Sequence, residues 1–163
     1  NLSYYMQTFE LARYTCEDVT RRFVTELRPE VKKDLICLLE EKLHSRFYAA
    51  CPLYFLCCIA AHSSLQGVRE IYGIIYGLQL WGAPLSGSCG KAPLLEQATE
   101  QFTKSMIHCL KRSDADGCAA SIKEFMDGQF TAAEDFLRRQ EIYLEDLRLT
   151  PSIQFCTVEE QIL

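Results

Sequence analysis

The chain has 163 residues, enough to bury roughly two-thirds of its unfolded surface around one core without disulfide or metal staples. Hydrophobic residues make up 48% and charged residues 24%, which is globular composition and excludes disorder. The net charge of −5, with no basic run longer than two residues, argues against a nucleic-acid surface.

From Tyr5 the apolar positions Tyr5, Phe9, Ala12, Cys16, Val19, Phe23 and Leu27 advance by fours and threes, the stripe of an amphipathic helix. Glu10, Arg13, Glu17 and Arg21 fall on the opposite side. Arg28-Pro29 ends this helix, because the residue before proline avoids the α region, and Pro29 suits the first turn of a second. That second helix carries Val31, Leu35, Leu38, Leu39 and Leu43.

Phe47 to Ala61 is the most apolar stretch. It falls short of the roughly 20 residues a membrane span needs and is interrupted by Pro52, so it reads as a core helix starting near that proline. Ser63-Ser64-Leu65-Gln66 has the form of a capping box for a fourth helix, with Leu65, Val68, Tyr72, Ile75, Leu78 and Trp81 as its apolar positions. Gly73 and Gly77, four apart, would cost up to about 1 kcal/mol each against alanine, which suggests close contact with a neighbouring helix.

Residues 82–92 are dense in Gly, Ser and Pro and read as the main loop. Pro93 opens a further helix with Leu95, Ala98, Phe102, Met106, Cys109 and Leu110 at helical spacing, closing in Lys111-Arg112. After a turn at residues 113–117, a short helix stops at Gly128, and Thr131-Ala132-Ala133-Glu134 has the form of a second capping box before the last helix. The tail, 152–163, is expected to dock in extended form or to fray.

The expected fold is therefore all-α, a compact bundle or short α-solenoid of six to seven helices in one domain spanning residues 1–163. The chain opens Asn1-Leu2-Ser3 without an initiator Met or signal peptide and reads as an excerpt of a longer protein. Its nine cysteines, an odd number, mostly fall within apolar helical patterns, so they read as reduced core residues of an intracellular protein, cytoplasmic or nuclear.

From Gly128 through Leu137 the sequence resembles the inter-helix turn and second helix of a tetratricopeptide repeat, with Gly128, Phe130, Ala133, Phe136 and Leu137 at matching positions. The resemblance covers about one repeat, from Gly117 to Pro151, with no second copy near 34 residues away. It implies an antiparallel helix hairpin packed small against large, with Gly128 and Ala133 in close helix contact.

No catalytic, metal or cofactor signature is present. His44, His62 and His108 lack ligand spacing, with His44 expected in solvent and the other two at helix boundaries or half-buried. Gly87-Ser88-Cys89-Gly90-Lys91 lacks phosphate-loop spacing, and Asp114-Ala115-Asp116-Gly117 lacks the closing carboxylate of a calcium loop. The sequence thus points to a non-enzymatic protein-interaction or scaffold domain that offers an inter-helix groove to a protein or peptide, or to another subunit, with Tyr72, Tyr76, Trp81 and Phe130 as anchors. The alternative is a bundle that binds an apolar small molecule or lipid, or one that resembles the helix-groove apoptosis regulators, whose Asn-Trp-Gly-Arg motif is missing here.

Overall fold

The computed structural model describes residues 2–45, 51–63, 65–87 and 92–143, and it is an all-α bundle. Six helices follow in order: α1 (Leu2–Glu26), α2 (Pro29–Ser45), α3 (Cys51–Ala61), α4 (Gln66–Gly87), α5 (Ala92–Lys111) and α6 (Ala115–Arg139). The expected tail at 152–163, Pro151 and residues 88–91 lie outside the described residues.

One apolar core joins all six helices. The α1 stripe supplies Tyr5, Phe9, Ala12, Cys16 and Phe23, α2 supplies Val31, Leu35 and Leu39, and α3 sinks Phe55, Leu56 and Ile59. Two antiparallel pairings organise the rest. Along α1 and α6, Phe9 stacks on Phe130 with ring centroids 5.7 Å apart, Arg13 meets Asp127 and Arg21 meets Asp116. Along α5 and α6, Phe102 packs on Phe125 at 5.5 Å and the Ser105 and Ser121 hydroxyls lie 2.6 Å apart. Phe55 of α3 meets Phe102 edge-on at 6.1 Å, which ties α3 to the same layer.

The α5–α6 link is three residues long and doubly capped. Ser113, in the left-handed region with φ 58°, donates its N–H to the Leu110 carbonyl, and the Asp114 N–H reaches the Cys109 carbonyl. This pair of bonds is the Schellman closure of a helix. Asp114 then caps the next helix, its carboxylate accepting from the Gly117 N–H at 2.8 Å. Glu141, with φ 57°, closes α6 the same way, and Ile142 folds back on the core.

Several local expectations are overturned. Residues 113–139 do not form two helices about a tetratricopeptide-like turn: α6 runs unbroken through Gly128 and Thr131. The buried row Ile122, Met126, Phe130 and Leu137 continues at helical spacing across Gly128, and that burial outweighs the roughly 1 kcal/mol a helical glycine costs. Glu134 of the supposed second capping box pairs with Arg138 instead.

At the other loop, α4 continues through Pro84 to Gly87, so the 82–92 loop loses its first half; glycine and proline weaken a helix without by themselves ending it. At Ser63 the hydroxyl accepts from the Leu65 N–H at 3.0 Å, and Gln66 bonds to Glu70, so this local turn replaces the capping box and α4 starts later.

Of the small-residue contacts expected, the glycines show none among the described residues. A Cβ built on Gly73, Gly77 or Gly128 meets no described residue within 4 Å, so none of the three is held against another described helix. Ala133 is half-buried against the core. Because Gly128 is exposed in mid-helix, Gly128→Ala is expected to raise the unfolding free energy by up to about 1 kcal/mol, measured by urea denaturation; a loss would show that some contact needs the bare backbone.

Candidate interaction surface

Helix α4 is apolar on more of its circumference than the core can use. Tyr72 and Ile75 face inward, and the Tyr72 hydroxyl lies 2.8 Å from the Thr15 hydroxyl of α1, which fixes how the two helices pack. Ile71 and Ile74, one turn apart, flank this inward side and are 49% and 62% exposed. An amphipathic helix of a monomer puts charged or polar groups at such positions. Leu65 just before α4 and Leu11 on α1, one turn before Thr15, are also about half exposed.

A shallow cleft of about 270 Å³ opens where α1 turns into α2. Phe23, Val31 and Ile59 form its apolar floor, and Glu26, Arg28 and His62 stand around it. Glu26 is engaged by Arg22 at 3.3 Å.

Between α1 and α6 runs a charged seam that the sequence assigned to solvent. Asp127 Oδ1 accepts from Arg13 Nε at 2.7 Å and from Lys123 Nζ at 2.6 Å, while the Arg13 guanidinium lies 4.6 Å from the centre of the Phe130 ring. Partial burial pushes the Asp127 carboxyl up, but the hydrogen bonds and charges of Lys123 and Arg13 together outweigh it and hold the group below the ordinary carboxylate range. The Asp127 bond in turn raises Arg13 further. Arg21 reaches Asp116 and Glu17 in the same way one level along.

A depressed carboxylate stabilises the fold above its unfolded pKa, and that contribution is lost as pH falls through the lowered folded value. Asp127→Asn is therefore expected to cost about 1 kcal/mol at neutral pH, a modest figure because the pair is partly solvated, and the gap from the parent should close below about pH 4. Urea titrations at several pH values measure it, and a gap independent of pH would remove the ionic explanation.

The anchors expected from sequence do not converge on one exposed surface. Tyr72 and Phe130 are core residues, 4% and 6% exposed, because each lies on the inward stripe of its helix. Tyr76 is half-buried. Trp81 belongs to α4, and its side chain lies outside the described residues.

Among the cysteines, Cys16, Cys109 and Cys118 are buried as expected, Cys58 is half-buried and Cys37 is exposed; Cys51, Cys57, Cys89 and Cys156 lie outside the described side chains. Burial pushes the Cys16 thiol up to about 11 and the Cys118 thiol up to about 12, so both stay protonated at neutral pH. His44 is exposed and contacts the Glu40 carbonyl; His62 and His108 are exposed as well, not half-buried.

Among the described residues no three His, Cys, Asp or Glu side chains converge as a metal site, and no helix is long and apolar enough to cross a membrane. No protein-family model matches the chain, and no curated protein or solved structure matches it significantly.

Proposed function

We propose that the chain is a non-enzymatic interaction or scaffold domain that docks a protein or peptide partner through the outward face of α4. The observation that carries this reading is the exposed pair Ile71 and Ile74 on a helix whose adjacent side, at Tyr72 and Ile75, already fills the core. Leaving two isoleucines in water forgoes roughly 25 cal/mol per Å² of apolar surface, and a partner recovers that energy. Isoleucines one turn apart match the spacing with which helix faces and grooves engage. The α1–α2 cleft, at about 270 Å³, falls just below the usual range of small-molecule sites and lends the ligand-binding alternative little support.

The test is a double substitution, Ile71→Lys with Ile74→Lys. Both side chains are about half exposed or more, so the melting temperature should stay within a few degrees of the parent. Affinity capture from the native source, quantified against the parent, should lose at least one partner by tenfold or more, as truncating an interface anchor does. Light scattering after size exclusion reports whether that partner is a second copy. A folded double variant that keeps every captured protein and the parental mass removes α4 as the docking face.

A further inference from the structure

The α5–α6 hairpin sets two cysteines against each other. Its antiparallel register pairs Phe102 with Phe125 and Ser105 with Ser121, so the next level places Cys109 opposite Gly117 and Cys118. The contacts there agree. Cys109 Sγ lies 2.7 Å from where a Cβ on Gly117 would stand, and Cys109 and Cys118 are both buried in the same core cluster. Both cysteines are free and buried in the core, yet the link between their helices consists of the exposed residues 112–114.

We propose that Cys109 and Cys118 form a redox modification site, in which a low-molecular-weight disulfide such as oxidised glutathione converts the two thiols into an intramolecular disulfide that staples the α5–α6 turn. Cys109, the more accessible of the two at 8% exposure, reacts first. Its thiol gives a proton to solvent, and the thiolate attacks one sulfur of the oxidised glutathione and expels a glutathione thiolate. Cys118 then loses its proton and attacks Cys109 Sγ in the resulting mixed disulfide, expelling the second glutathione thiolate. Both leaving thiolates take up protons, so two protein thiols are oxidised while one glutathione disulfide is reduced to two glutathione thiols.

Bringing the sulfurs to a bond of roughly 2.05 Å calls chiefly on the two side-chain torsions, because the helix register already apposes the residues. Burial sets the pace, since each step needs a thiolate and the Cys118 thiol is held protonated, so the reaction waits for openings of the turn. This site stands independently of the docking face on α4.

The experiment uses the full chain, held with oxidised glutathione in urea below the unfolding transition, then alkylated and digested with trypsin without reductant. Cleavage after Lys104, Lys111, Arg112 and Lys123 puts Cys109 and Cys118 on separate peptides with one cysteine each. The expected product is those two peptides joined with the loss of two hydrogens and separated by reductant, and the oxidised chain should melt roughly 5 °C higher. Cys118→Ala should leave Cys109 carrying glutathione, without the rise in melting temperature. Exposed Cys37 serves as the internal control for the oxidant. The proposal is overturned if Cys37 becomes glutathionylated while Cys109 and Cys118 remain alkylatable. It is equally overturned if either residue links elsewhere, or if Cys109 of the parent chain stops at the glutathione adduct.

Discussion

Phe130→Ala is expected to lower the unfolding free energy by about 3–5 kcal/mol, a large share of the 5–15 kcal/mol that holds a typical domain together. The ring is 6% exposed, stacks on Phe9 and carries the Arg13 guanidinium on its face. Removing it leaves a void between α1 and α6 and takes away an aromatic pair worth roughly 0.5–1.5 kcal/mol beyond its area. Arg13 also loses the surface that sets its approach to Asp127. Urea denaturation should show an earlier midpoint with nearly unchanged slope. A cost under 1 kcal/mol accompanied by loss of a bound partner would return Phe130 to the role of surface anchor and undo its place in the core.

Phe130 also shows how far the sequence could be read. Sequence alone places it beside a turn as an anchor, although Ile122, Met126 and Phe130 stand four apart and Leu137 falls two turns farther on. The punctuation around it was misleading: Gly128 and the Thr131–Glu134 pattern carry local signals for a turn and a cap, and the burial of four large side chains on one face outweighs them.

In helix α4 the inward positions Tyr72 and Ile75 were legible as stripe residues, but the exposed apolar pair beside them was not. With Ile71, Tyr72, Ile74 and Ile75 all apolar, periodicity allows more than one side to face inward, and only packing against Thr15 of α1 decides that Tyr72 and Ile75 go in while Ile71 and Ile74 stay out. The anchors chosen from residue type were aromatic, whereas the residues left exposed are aliphatic. The α1–α6 charged seam was hidden by the same ambiguity, since Arg13 and Arg21 look solvated until the partner helix supplies Asp127 and Asp116. Contacts at such sequence separation leave no local trace.

Glycines divide in the same way, and Gly117→Ala gives the sharpest contrast with Gly128→Ala. At Gly117 a Cβ would collide with the Asp114 carboxylate and lie 2.7 Å from Cys109 Sγ. The carboxylate can swing away, but it then gives up the bond to the Gly117 N–H that caps α6, a loss of about 1 kcal/mol. Cys109 has less freedom, being packed in the core against Cys118, and displacing it adds an overpacking cost of about 1–3 kcal/mol. The helix preference of alanine returns up to about 1 kcal/mol. The net expectation is a loss of about 2 kcal/mol, opposite in sign to Gly128→Ala.

A cycle with Cys109→Ala separates the two collisions. Removing the sulfur should relieve the part of the cost that comes from Cys109 and leave the capping loss in place, so Gly117→Ala should cost about 2 kcal/mol less in the Cys109→Ala background than alone. If Gly117→Ala proves neutral or stabilising in both backgrounds, the turn has room for a methyl group.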